Sequence, residues 1–298
     1  MTEYLQPFML IMVGLPGSGK TNYAMDLINK EPEYDWARIN WDEMRAAIPG
    51  WSFSRAAEDA MQQRSFEQAR QWIQAGRSVV IDNTNLSTRT RMRWRALGEA
   101  LGAQVLEHYM PTSHYDCVIQ DAQRSGSSQV GQAVIDRMAL FHGLIEWELG
   151  RKIVIFDMDG TLASAENRLP YIQQRPKNWD KFFENVENDP PISTVVEWVQ
   201  AIANETNHYI VIVSGRPIDR AGKGTVKWLQ NNHVPFDYIF MRQSKDYKDD
   251  TIIKKEILDK MPKDMIEFAV DDRKRICDMW RANGIRVFNV SPDGVGDF

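Results

Sequence analysis

Phe8-Met9-Leu10-Ile11-Met12-Val13-Gly14-Leu15-Pro16-Gly17-Ser18-Gly19-Lys20-Thr21 decides the fold of the first half of the chain. The apolar run without polar alternation reads as a parallel strand buried on both faces. The residues after it fit G-x-x-x-x-G-K-[ST] at every fixed position and lead into a helical pattern. Glycine is needed where the backbone comes close to phosphate, so Gly14, Gly17, Ser18 and Gly19 form a cradle of N–H groups. Lys20 supplies a cation for the β- and γ-phosphates, and Thr21 a hydroxyl ligand for Mg²⁺. ATP and Mg²⁺ are therefore the expected cofactors.

A second stretch decides the other half. Ile153-Val154-Ile155-Phe156 is again an unbroken apolar strand, and it ends in Asp157-Met158-Asp159-Gly160-Thr161-Leu162. A carboxylate at a strand end, with a second one two residues on, suits covalent phosphoryl chemistry. Asp157 is the nucleophile, and Asp159 protonates the leaving alcohol and later deprotonates water. This D-x-D-G-T arrangement matches the signature of the haloacid-dehalogenase (HAD) phosphatases. Further pieces follow in that family's order: Ser214 after Ile210–Val213, Lys248 in Tyr247-Lys248-Asp249-Asp250, and Asp271-Asp272 after Phe268–Val270. Ser214 and Lys248 are expected to hold phosphoryl oxygens, while Asp157, Asp159, Asp271 and Asp272 are expected around Mg²⁺. Taken singly, Lys248 reads as a surface lysine and Asp271-Asp272 as a helix cap.

Short strands are expected at 37–40, 78–81, 105–109, 209–213, 267–270 and 287–290, with helices between most of them, which makes both halves α/β. The boundary is expected at Gly150, after a helix containing Ala139–Leu149, giving domains 1–149 and 150–298. Gly126–Gly131 is the conspicuous loop of the first half and suits a mobile lid.

In the first half, Asp42 follows the strand at 37–40. It either caps the next helix or accepts a proton from an acceptor alcohol. Asp82 ends the strand at 78–81 as an acid of the kind that assists Mg²⁺ binding. Arg89, Arg91, Arg93 and Arg95 form two i,i+4 pairs on a helix, either facing phosphates or forming a solvated face. Arg124 could close over a nucleotide.

Composition bounds the partners. The net charge is −5, with 14 basic against 18 acidic residues over 1–150 and 22 against 23 over 151–298, so neither half is a basic wrapper for nucleic acid. An enzyme gripping only a strand end needs few phosphate contacts. No apolar stretch is long enough to span a bilayer, no secretory leader is read at Met1–Pro7, and Cys117 and Cys277 cannot build a disulfide framework. A cytoplasmic enzyme is the expectation.

The order of a P-loop kinase followed by a D-x-D-G-T phosphatase resembles the phage-type polynucleotide kinase/phosphatases, over essentially the whole length. The resemblance rests on Lys20, Thr21, Asn40, Asp42, Asn83-Thr84-Asn85-Leu86 and Arg124 in the first half. In the second it rests on Asp157, Asp159, Arg168, Ser214, Gly215, Arg216, Lys248, Asp271 and Asp272, with a similar ending from Trp280 to Asp297-Phe298. It implies 5′-hydroxyl phosphorylation and 3′-phosphate removal on DNA or RNA termini, by a homo-oligomer. It further implies that Asp42 is the general base and Arg45 a contact to the acceptor's phosphate. Arg168, Ser214, Gly215 and Arg216 would bind the 3′-phosphate substrate. Two positions depart from the family pattern: Gln120 stands where a second lid arginine is usual, and Asn83 where an acid can occur. A small-metabolite kinase fused to a metabolite phosphatase would use the same two cores, and a binding module with inert sites is a third reading.

Overall fold

Strand β1 (Phe8–Val13) lies in the middle of a parallel sheet, because alternate side chains enter two different apolar layers. Met9, Ile11 and Val13 join one buried cluster, and Leu10 and Met12 the other. The computed structural model describes residues 6–294 and Gly296. Asp297-Phe298, part of the family resemblance, fall outside the described residues.

The first unit continues with α1 (Lys20–Lys30), β2 (Ala37–Ile39), α2 (Trp41–Ala46), α3 (Arg55–Gln74), β3 (Val79–Ile81), α4 (Thr88–Ala100), β4 (Gln104–Tyr109) and α5 (His114–Ala122). Its sheet order is β2-β3-β1-β4. β2 and β1 both pair with β3 in parallel, so the residues following all three strands emerge at one carboxyl edge, where ligands of open α/β sheets bind.

The second unit contains α6 (Gln132–Phe141), β5 (Lys152–Phe156), α7 (Pro170–Gln173), α8 (Trp179–Glu184), α9 (Ser193–Glu205), β6 (His208–Pro217), α10 (Ile218–Asn231), β7 (Tyr238–Arg242), α11 (Asp250–Leu258), β8 (Ile266–Asp271), α12 (Lys274–Ala282) and β9 (Val287–Asn289). Its parallel sheet runs β7-β6-β5-β8-β9. Val154 and Phe156 face one apolar layer, Ile153 and Ile155 the other. The register of β6 against β7 shifts between Ser214 and Pro217, which bends the chain at Ser214-Gly215-Arg216.

Two expectations change, and the packing adds a third point: the compact units part at Arg124/Ser125, ahead of the domain boundary expected at Gly150. The reason is α6: Ala133 and Leu140 are buried in the two cores of the second unit, and Asp136 Oδ2 accepts from the Ile239 N–H at 2.8 Å. The helix expected over 139–149 ends at Phe141, with Gly143 at a positive φ of 66°. Strand β7, at the sheet edge, was not expected; Tyr238-Ile239-Phe240-Met241-Arg242 is short and leads directly into a polar loop.

Candidate active sites

In the first unit, Gly17 has φ 83°, and a Cβ there would collide with the Cys117 carbonyl oxygen. Only glycine lets the loop pack so closely on α5. Lys20 folds back over the loop, donating to the Gly14 and Leu15 carbonyls at 3.0 and 2.7 Å. Burial pushes Lys20 down to about 8; Asp82 and Asp42 oppose the fall and Arg124 adds to it. These four charged groups therefore share one electrostatic neighbourhood. Arg124 is half-exposed, with Asp121 at 4.0 Å.

Asp42 does not cap α2. Asn40 does, its Oδ1 accepting from the Glu43 N–H, which leaves Asp42 in the first turn with its side chain 92% exposed. Arg45 holds Asp42 at 2.5 Å and grips Glu58 with two nitrogens, at 3.0 and 2.6 Å. The acceptor helix is tied to the end of β3. Asn40 Nδ2 donates to Asp82, and Trp41 N donates to Asn83 Oδ1 at 2.8 Å. Asp82 is buried against Arg38 at 2.6 Å, so it organises this edge of the sheet.

The arginine run on α4 largely ties the helix to its surroundings. Arg91 and Arg95 both pair with Glu107, and Arg91 also donates to the Asn85 and Leu86 carbonyls. Arg93 lies 4.5 Å over the Phe66 ring.

In the second unit, Asp157, Asp271 and Asp272 offer carboxylate oxygens within 4.8 Å of one another, all buried. Lys254 Nζ lies between Asp157, at 2.9 Å, and Asp271, at 2.6 Å. Burial pushes Asp157 up to about 6, with Lys254 opposing, and burial with repulsion from Asp157 and Asp271 pushes Asp272 up to about 8. Lys254 is raised in turn, because the two carboxylates outweigh its desolvation. Once ionised, three carboxylates around the Lys254 ammonium carry an excess of negative charge, and Asp272 Oδ1 is buried with no hydrogen-bond partner. Oxygen ligands with that charge deficit fit a hard divalent cation such as Mg²⁺. Gly160, with φ 81°, passes so close to Asp272 that a Cβ would collide with its carboxylate. The buried Thr161 hydroxyl is likewise unpartnered.

Asp159 stands outside this carboxylate trio. Arg216 reaches its two oxygens at 3.0 and 2.7 Å and Arg168 one of them at 2.6 Å. Burial would raise Asp159, but Arg216 and Arg168 more than offset that and hold it well below the usual carboxylate range. Asp189 completes the network, bonding Arg168 at 2.7 Å through each of its two oxygens and Arg216 at 2.7 Å. Ser214 Oγ accepts from the Arg216 N–H, and Gly215 packs on Asp250.

Lys248 is not at this site. It lies on the surface, paired with Asp246 and Glu256, and the lysine beside Asp157 is Lys254. A signal for it was present in α11: Ile253, Lys254, Ile257 and Leu258 are the buried positions of that helix, and the lysine interrupts an apolar stripe. Also missed were Asp189, Asp250 and Arg273. Arg273 donates to Asp250 at 2.6 Å, and its charge acts on Asp157, Asp159 and Asp272. Arg242 holds Asp250 from the other side and donates to the Gly215 carbonyl at 2.7 Å.

Residues 151–298 match the family described as the polynucleotide kinase PNKP phosphatase domain, and residues 9–143 match the AAA domain family. The latter span runs through α6, which packs in the second unit. One relative, provisionally named a bifunctional polynucleotide kinase/RNA ligase, from Autographa californica nuclear polyhedrosis virus, is 25% identical over 311 residues. The match takes in 96% of this chain and 42% of the relative, so the chain spans less than half of that protein. Among solved structures, the Pnkp1/Rnl/Hen1 RNA repair complex contains a chain 23% identical, covered to 97% by 98% of this one, with a TM-score of 0.42. The Mycobacterium tuberculosis APS kinase CysC, bound to AMPPNP and APS, is 22% identical, with 40% of this chain covering 70% of that one and a TM-score of 0.35. The chain thus joins, in this order, a segment similar to the AAA domain family and one similar to the polynucleotide kinase PNKP phosphatase domain family.

Proposed function

We propose that this protein repairs nucleic-acid ends with two separate sites, phosphorylating 5′-hydroxyl termini and removing 3′-phosphates. The observation that carries this reading is the buried cluster of Asp157, Asp271, Asp272 and Lys254 beside an arginine-held Asp159. It lies within a segment that matches the polynucleotide kinase PNKP phosphatase domain family, in one chain with a complete G-x-x-x-x-G-K-[ST] loop.

In the kinase half, the loop from Gly14 to Thr21 would hold the ATP phosphates, Thr21 would be a ligand of Mg²⁺, and Arg124 acts with Lys20 on the phosphate charge. Asp42 takes the proton of the acceptor hydroxyl as its oxygen bonds to the γ-phosphorus, the bond from that phosphorus to the β–γ bridging oxygen breaks and ADP leaves, and Arg45 meets the acceptor's phosphate. In the phosphatase half, Asp157, Asp271 and Asp272 would hold Mg²⁺, which neutralises charge on the transferring phosphoryl group. An Asp157 oxygen bonds to phosphorus, the P–O3′ bond breaks, and Asp159 gives its proton to O3′. Asp159 then takes a proton from water, whose oxygen attacks the aspartyl-phosphate, releasing phosphate and restoring Asp157.

Arg216 and Arg168 hold Asp159 ionised in the free chain, which suits the second step. A phosphate dianion arriving nearby competes for those arginines and raises Asp159 toward the protonated form the first step needs. The partners are thus DNA or RNA termini, and the buried free thiols Cys117 and Cys277 support a reducing, cytoplasmic setting. Assembly as a homo-oligomer belongs to the same reading. Among the described residues no helix is long and apolar enough to cross a membrane.

The test is transfer of labelled γ-phosphate from ATP to 5′-hydroxyl oligonucleotides, beside free nucleosides and sugars, together with phosphate release from 3′-phosphate oligonucleotides. Turnover of the free metabolites without the oligonucleotides would replace this reading with that of a metabolite kinase and phosphatase.

A further inference from the structure

Asn83 stands where two catalytic segments of the first unit meet. On one side its Oδ1 accepts the Trp41 N–H at 2.8 Å, next to Asp42. On the other, the adjoining Thr84 carbonyl accepts the N–H of Gly14, the first residue of the phosphate loop, at 3.1 Å. Its own carbonyl is held by Asn85 Nδ2, which also donates to the Met12 and Ile81 carbonyls. The position is thereby fixed, and the side chain is 9% exposed. Yet the Asn83 amide nitrogen is buried with no hydrogen-bond acceptor. Leaving a buried donor unpaired costs about 1–3 kcal/mol, so such a group calls for a partner that arrives later. What arrives between the phosphate loop and Asp42 is the phosphoryl group in transfer, which carries charge on its equatorial oxygens. A carboxylate at this position could also accept from Trp41, but when ionised it could not donate.

We propose that Asn83 is a catalytic residue of the kinase site, its Nδ2 donating a hydrogen bond to a non-bridging oxygen of the transferring phosphoryl group. This rests on the kinase reading above. Asn83→Asp is the decisive variant, because it keeps the acceptor for Trp41 and removes the donor at constant shape. Three readouts go together: the melting temperature; the affinity for Mg·ADP against that for Mg·ADP–aluminium fluoride with a 5′-hydroxyl oligonucleotide; and kcat against pH. The expected result is an unchanged melting temperature, ADP affinity within about threefold, and losses of about 10²–10³-fold in both analogue affinity and kcat, the size typical for one preorganised donor. The ratio of variant to wild-type kcat should rise toward acid pH, as the introduced carboxyl regains a proton to donate.

Analogue affinity and kcat within about threefold of wild type would overturn the assignment. Equal losses for ADP and the analogue would overturn it too, since that marks a structural role. Should Asn83→Asp fail to fold, Asn83→Ala carries the same ADP-against-analogue comparison, with the same outcomes. Wild-type protein that transfers nothing to 5′-hydroxyl ends would overturn the kinase reading itself and this proposal with it.

Discussion

Replacing Lys254 by methionine removes a cation that touches both Asp157 and Asp271 while nearly preserving side-chain length. Lys254 is 2% exposed, with carboxylate oxygens at 2.9 and 2.6 Å, so the change leaves three buried carboxylates without it. Breaking a buried pair from one side costs about 3–5 kcal/mol. For a unit of this size, at about 2–4 °C per kcal/mol, calorimetry in EDTA should show its transition falling by about 6–20 °C. Added Mg²⁺ should shrink that gap, because the metal supplies charge to the same oxygens. Phosphatase turnover should collapse, since Lys254 opposes the protonation of Asp157, while kinase turnover persists. Lys248→Met, at a solvated surface pair, should leave both the melting temperature and phosphatase turnover near wild type. Wild-type stability and turnover in Lys254→Met, or a larger phosphatase loss in Lys248→Met, would refute the placement of the cation.

Three further outcomes are expected. Asp42→Asn should lower 5′-phosphorylation by about 10²–10⁴-fold, with 3′-phosphatase turnover and melting unchanged, since Asp42 is largely exposed; near wild-type kinase rates in end-labelling assays would remove it as the base. Asp159→Asn should slow phosphoryl-enzyme formation far more from 3′-phosphate ends than from nitrophenyl phosphate, whose leaving group needs no proton; equal factors in rapid-quench experiments would show Asp159 acting through Arg168 and Arg216 alone. A fragment spanning 125–298 should melt cooperatively and above one spanning 150–298, which lacks Ala133, Ile135 and Leu140; equal melting temperatures would make α6 dispensable to that core.

Much of the two active sites was legible because their chemistry sits at strand ends. An unbroken apolar strand followed by glycine, lysine and threonine, or by Asp157 and Asp159, fixes both fold and site in a single segment. The strands bring their carboxyl ends to one edge whatever the loops do, which is why Asp157, Asp271 and Asp272 meet; Asp159, expected with them around Mg²⁺, turns to Arg168 and Arg216 instead. Gly17 and Gly160 stand at fixed motif positions, but the atoms that a Cβ would strike there, the Cys117 carbonyl oxygen and the Asp272 carboxylate, come from distant segments.

The sequence by itself thus determined two α/β units, the glycine loop after β1 and the aspartates at the ends of β5 and β8. The tertiary structure decided which charged side chains turn inward. Lys248 and Lys254 are both lysines near Asp249-Asp250, but Lys248 lies in the loop before α11 and stays solvated, whereas Lys254 lies on the packed face of α11 and becomes the partner of Asp157. Arg168 and Arg216 come from distant segments, and their convergence with Asp189 on Asp159 depends on how the loop before α9 packs on α10, where Trp228 donates to the Asp189 carbonyl. Helix α6 joined the second unit because its apolar face finds its partners there, across more than a hundred residues of chain to Ile239 and Met241. Each of these contacts joins residues far apart in sequence, and local propensity carries no record of such pairings.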